Sequence, residues 1–135
     1  IILAAVLLIY PKTRKTGIIV AAALIVDLIL CNVILKNLIA RTRPYDINTA
    51  VQIIIAKPHD YSFPSGHTAA SFASVAALYL AGAKKGWKIA GVLAVLIAFS
   101  RLYFYVHFPT DVLGGIVFGI LSGVLGYEIV KKKIG

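Results

Sequence analysis

The chain has 135 residues, of which 60% are hydrophobic and only 14% charged, with a formal net charge of +9. That balance excludes an ordinary soluble globular domain, where apolar residues make up about half and charged residues about a quarter, and it implies a bilayer as solvent. The positive charge does not indicate nucleic-acid binding, which calls for a basic face interleaved with exposed aromatics on a soluble scaffold.

In chain order, residues 1 to 10 read as the end of a helix and 11 to 16 as a turn, and 17 to 40 read as a helix that crosses outward. The only long loop covers 41 to 64. Helices follow over 65 to 83, 89 to 106 and 108 to 130, with a turn at 84 to 88. The expected fold class is therefore all-α, a polytopic membrane helical bundle with five visible transmembrane helices, in a single membrane-embedded domain over 1–135. No repeat of 20 to 50 residues recurs. The sequence opens mid-hydrophobic at Ile1 without Met or a basic leader, so it reads as the visible part of a longer, N-terminally truncated chain rather than as a signal peptide. Cys31, the single cysteine, excludes an internal disulfide and reads as a small packing residue.

Loop charge orients the bundle. Lys12, Arg14, Lys15, Lys84, Lys85, Lys88 and Lys131 to Lys133 make nine of the fourteen basic residues, and they share one side if each apolar run crosses once. Under the positive-inside rule that side is cytoplasmic. The other five, Lys36, Arg41, Arg43, Lys57 and Arg101, fall at outer helix ends or in the outer loop. There they either bind something anionic or, for Arg41 and Lys57 above all, snorkel to headgroups. Ala50 to Ala56 is too short to cross but apolar enough to lie on the bilayer beside Tyr45 and Tyr61, or to form a packed loop segment or short strand.

Three blocks carry chemistry at that outer face. Lys36 and Arg43 are seven residues apart, about two turns, and share a face if the helix persists, although Pro44 disfavours helix at Arg43. Ser65 is placed to cap the helix beginning at Gly66, where free backbone N–H groups favour an anion. His67 in the first turn can give a proton to a departing oxygen. Pro109 suits a first helical turn, which lets Asp111 meet His107, fix its tautomer and leave the other ring nitrogen free to attack phosphorus. Arg101 offers a planar fork for phosphate oxygens, with Ser100 to position it.

The pattern K-x6-RP, PSGH and SR-x5-H-x3-D from Lys36 to Asp111 resembles the type 2 phosphatidic acid phosphatases, or lipid phosphate phosphatases, whose fold is shared with vanadium haloperoxidases and bacterial acid phosphatases. Every motif position matches. The resemblance implies the last five of six membrane helices and a lipid phosphatase acting through a phosphohistidine. His107 would be the nucleophile, Asp111 its orienting partner, and His67 the group that protonates the leaving oxygen and later activates water. Lys36, Arg43 and Arg101, with Ser65 and the backbone at Gly66, would hold the phosphoryl oxygens. No cofactor or metal is implied, and the acidic residues form no cluster suited to Mg²⁺. The implied partners are a membrane lipid phosphate and the bilayer, with no nucleic acid and no obligatory protein partner. The expected location is a bacterial or archaeal plasma membrane with the site on the non-cytoplasmic face.

Phosphatidic acid, phosphatidylglycerophosphate, undecaprenyl diphosphate and lipid A 1-phosphate all fit as monoester or diphosphate substrates. The alternatives are a lipid phosphotransferase, a haloperoxidase-like enzyme, and a non-catalytic lipid-binding or transport protein. Asp27, mid-helix, reads as an interhelical hydrogen bond, and His59 and Asp60 read as solvated loop residues, either of which could touch a substrate headgroup. Trp87, Tyr79, Tyr103, Tyr105 and Tyr127 fit interfacial belts, and Gly114, Gly115, Gly119, Gly123 and Gly126 fit close helix packing.

Overall fold

The computed structural model describes residues 1–134, and among them every regular element is helical. Helix α1 (Ile2–Ile9) turns into α2 (Arg14–Asp27), which runs through a π-helical segment (Leu28–Leu35) into α3 (Lys36–Ile39). A short α4 (Pro44–Ile47) interrupts the outer loop, and α5 (Gly66–Leu80), α6 (Gly86–Tyr103) and α7 (Pro109–Ile134) complete the bundle. Three stretches are long and apolar enough to cross a membrane, Arg14–Ile47, Gly86–Tyr103 and Pro109–Ile134. By length and composition three of the five expected crossings qualify, and α5, with 15 residues or about 22 Å at 1.5 Å per residue, is short against a hydrocarbon core of about 30 Å; the expected all-α membrane bundle holds. The protein is an integral membrane protein.

Helix α7 is the axis of the bundle and packs on α5 and α2, while α5 also packs on α6. Small residues set that spacing. A Cβ on Gly119 would stand 2.3 Å from the Ala69 carbonyl oxygen, and one on Gly126 would stand 2.5 Å from the Ala23 Cα. Side-chain-free positions let the backbones touch, as the glycine stripe predicts. Outside this seam α6 turns Ile89, Val92, Leu93, Val95, Leu96 and Phe99 outward. An exposed apolar row of this kind suits lipid and is costly in water.

Four expectations about the chain path change. The long helix does not reach Arg43, because Ala40 adopts a left-handed conformation and Arg43 is extended, as the residue before Pro44 must be. Helix α6 stops at Tyr103 and not at 106, because Tyr105 takes a positive φ of 58°. Ala50 to Ala56 forms neither helix nor strand, and Tyr45, expected at the bilayer surface, is buried with its hydroxyl donating to the Pro58 carbonyl at 2.9 Å. Asp27 makes no interhelical bond. It is buried with Oδ1 unpartnered among the described residues, and its neighbour is Cys31, one turn on in its own helix.

Candidate active site

Four helix ends and the outer loop meet around a cavity of about 320 Å³. The π-helical segment and α3 deliver Asn32 and Lys36, the start of α5 delivers Gly66 and His67, and the end of α6 delivers Arg101. The turn before α7 brings Val106 and His107, and the loop adds Arg43, Pro58 and Asp60. A π turn wedged into an α-helix commonly marks a functional site. Here it holds Asn32, and it ends where Lys36 begins. A Cβ at Gly66 would lie 2.9 Å from Asn32 Oδ1 and 3.6 Å from Lys36 Nζ. Glycine at this helix start therefore lets the amide and the ammonium approach its backbone.

His107 is buried, with Nε2 3.2 Å from Arg43 Nη1 and Nδ1 3.4 Å from Asp111 Oδ2. A guanidinium can only donate, so the contact assigns the lone pair to Nε2 and the proton to Nδ1 on the Asp111 side. The Nδ1 contact is longer than a normal hydrogen bond, and Nδ1 is left without a hydrogen-bond partner among the described residues. Burial foremost, and then the Arg43 charge, hold His107 below the ordinary imidazole value of 6.5, with Asp111 pulling the other way. The ring is therefore neutral near pH 7.

Asp111 stands behind His107 and is fully enclosed. The Phe108 N–H donates to Oδ2 at 2.8 Å, Ser62 Oγ donates to the same oxygen, and Arg41 Nη1 donates to Oδ1 at 3.0 Å. The Arg41 guanidinium also lies 4.1 Å over the Phe108 ring and donates to Thr110 Oγ1. The headgroup reading of Arg41 is thereby corrected: its side chain is folded onto the α7 start. The Asp111 carbonyl accepts from the Ser65 N–H at 3.0 Å, which ties the start of α7 to the start of α5.

Arg43, 3% exposed, is the most heavily engaged cation. It donates to the Val106 carbonyl at 2.9 Å, the Asp60 carbonyl at 2.9 Å, Asp60 Oδ1 at 2.6 Å and the Tyr61 carbonyl at 3.3 Å. Lys36, also buried, pairs with the other Asp60 oxygen. Burial pushes the Asp60 carboxyl up, but the bonds and charges of Lys36 and Arg43 outweigh it and hold the group below the usual carboxylate range. Arg101 is less constrained, with Nε 3.4 Å from Ser100 Oγ, and His67 is exposed.

The structure thus brings Lys36, Arg43, Gly66, His67, Arg101 and His107 to one cavity, with Asp111 one layer behind. Ser65 takes the N-cap position but makes no cap bond. Fully buried where α5 meets α7, its hydroxyl pairs with Thr68 Oγ1 at 2.9 Å, behind the cavity wall. Sequence reasoning passed over Ser62 and read Asp60 as a solvated loop residue able to touch a headgroup, where the structure pairs it with Lys36 and Arg43. The one available signal for Asp60 was its sign, as an acid in a loop whose neighbours are cations.

The sequence profile of the PAP2 superfamily matches residues 16–134. The chain is 34% identical over 125 residues to an undecaprenyl-diphosphatase of Sulfolobus acidocaldarius, covering 93% of this chain and 60% of that protein. It is 42% identical over 102 residues to phosphatidylglycerophosphatase B of Bacillus subtilis, covering 68% of this chain and 47% of that one. Among solved structures, the transmembrane PAP2-type phosphatidylglycerolphosphate phosphatase of Bacillus subtilis superposes with a TM-score of 0.72 at 34% identity, over 99% of this chain and 67% of that one. The chain thus spans about half the length of the curated relatives it matches. With the family profile across the helical bundle and the same fold in a solved relative, the chain belongs to the PAP2 superfamily.

Proposed function

We propose that this protein hydrolyses the terminal phosphate of a membrane lipid, as a monoester or a diphosphate, through a phosphohistidine and without a metal ion. The observation that carries the reading is the His107 ring. It is neutral, with Nε2 bearing the lone pair at the cavity and Nδ1 directed at a saturated Asp111. Nε2 attacks phosphorus as the bond to the leaving oxygen breaks, and His67 gives that oxygen its proton. His67 then takes a proton from water, the water oxygen attacks phosphorus, and the P–N electron pair returns to Nε2. Lys36, Arg43 and Arg101 supply the positive charge that stabilises the negative charge developing on the phosphoryl oxygens in the transition state.

The lipid character of the substrate rests on the lipid-facing α6 surface beside the cavity and on relatives named for undecaprenyl diphosphate and phosphatidylglycerophosphate. The site faces away from the cytoplasm in this proposal, because nine basic residues gather at the opposite helix ends, and the membrane is a bacterial or archaeal plasma membrane. The test is phosphate release in detergent, with excess EDTA, from phosphatidic acid, phosphatidylglycerophosphate, undecaprenyl diphosphate and lipid A 1-phosphate. Release from at least one, undiminished by chelator, is expected. Abolition by EDTA sinks the metal-free mechanism, and no release from any of the four sinks the activity.

A further inference from the structure

Two of the three cations in the cradle are already engaged by a carboxylate of the chain itself. Asp60 bridges them with one oxygen each, Oδ2 on Lys36 and Oδ1 on Arg43 at 2.6 Å. Two non-bridging phosphoryl oxygens would make the same pair of charge-assisted contacts. The partners differ in freedom. The Lys36 and Arg43 side chains are 6% and 4% exposed, whereas the Asp60 side chain is 51% exposed and sits in a loop with no helix or strand. Asp60 also borders a second, outer cavity of about 510 Å³, into which its carboxylate can withdraw. The cations are enclosed; the Asp60 backbone is held through its carbonyl by Arg43 Nε at 2.9 Å, and its carboxylate is the one solvent-facing member of the three.

We propose that Asp60 is a built-in competitor for the phosphoryl group, and hence a specificity-determining residue: it holds Lys36 and Arg43 until a terminal, multiply ionised phosphate displaces it. The inference rests on the phosphatase reading for the identity of the incoming anion. Two buried cations left without an anion would carry a large desolvation penalty, which the carboxylate relieves in the empty site. An incoming group must replace both contacts. A phosphomonoester carries about −1.5 to −2 charge near pH 7 and three acceptor oxygens, enough for Lys36 and Arg43 with one oxygen left for Arg101. A phosphodiester brings one charge and two such oxygens, which only equals what Asp60 gives up and leaves no oxygen for Arg101, so the exchange yields no net gain. The same competition returns the carboxylate to the cations as inorganic phosphate leaves.

The test uses the full chain in detergent, with inorganic phosphate as the probe. Calorimetry on the wild type and on Asp60→Asn should show phosphate binding tighter by about tenfold in the variant, which equals about 1.4 kcal/mol. The variant should also narrow the preference in kcat/KM for a lipid phosphomonoester over phosphatidylglycerol, a diester. Phosphate bound no more tightly by a folded variant overturns the inference. Should Asp60→Asn fail to fold, hydrogen exchange on the wild type decides: saturating phosphate should accelerate exchange in the segment around Asp60, and slower exchange there overturns the proposal. A wild type that releases no phosphate from any lipid, yet shows the tighter binding in Asp60→Asn, would refute the phosphatase reading and leave this one standing.

Discussion

The two walls of the cavity are built on opposite plans. On the α7 side Arg43, His107 and Asp111 are buried and the two charged groups are heavily bonded: Asp111 takes donors from Ser62, Phe108 and Arg41, and Arg43 spends its guanidinium on carbonyls, His107 and Asp60. On the side made by the α5 start and the α6 end, His67 is exposed and Arg101 rests on one long contact to Ser100. The first wall is organised before substrate arrives, so its geometry costs nothing at the moment of reaction. The second has bonding capacity to spare, as groups must have if they are to meet a leaving oxygen and a developing charge. In the proposed mechanism the fixed wall attacks, and the open wall receives.

Breaking the fixed wall should have the largest effect. His107→Ala removes the attacking nitrogen and should reduce turnover by on the order of 10⁴-fold or more, to background, read as phosphate release in detergent. Substantial residual activity would remove His107 as nucleophile and leave the wall a mere scaffold. On the open wall, His67→Gln keeps the shape and loses the transferable proton, with an expected loss on the order of 10² to 10⁴-fold for a lipid alcohol leaving group. The loss should shrink for a substrate whose leaving group is an acidic phenol, which departs without a proton. Equal losses for both substrates would make His67 a binding group and erase the division between the walls.

How much of this was legible in the sequence follows the same division. Residues whose position is set by a helix end were readable, because caps, Pro and short fixed spacings are local: Gly66, His67, Arg101, His107 and Asp111 all lie where the helix starts and stops put them. The charge of the loops and the glycine seam of α7 were readable for the same reason. What escaped depends on the path of the outer loop, which has no periodicity to read. Lys36 and Arg43 meet because the chain reverses at Ala40 and extends at Arg43, and not because two turns of helix align them. Asp60 reaches Lys36 across 24 residues, and Arg41 reaches Asp111 across 70. No local pattern encodes such pairings, and for that reason the sequence left Arg41 open between an anion site and a headgroup anchor, and Asp60 between a solvated side chain and a headgroup contact.

The smallest expected effect tests the fixed wall from behind. Arg41 touches no cavity reagent. It compensates the charge of Asp111 from a part-buried position, with its side chain 35% exposed. Asp111 raises the His107 pKa, against burial and Arg43, which lower it. Arg41→Ala leaves the carboxylate less compensated, so its pull on the imidazole grows and the His107 pKa rises. A protonated Nε2 has no lone pair with which to attack. The acid limb of kcat/KM should therefore move to higher pH, with kcat on the plateau reduced by only about tenfold through looser aim of the ring. In the wild type that limb should lie below 6.5, the ordinary imidazole value. A variant that loses activity with the limb unmoved would show that Arg41 only holds the α7 start in place. A limb that moves to lower pH would overturn the compensation argument, because removing a nearby cation raises an imidazole pKa whether it acts directly or through Asp111.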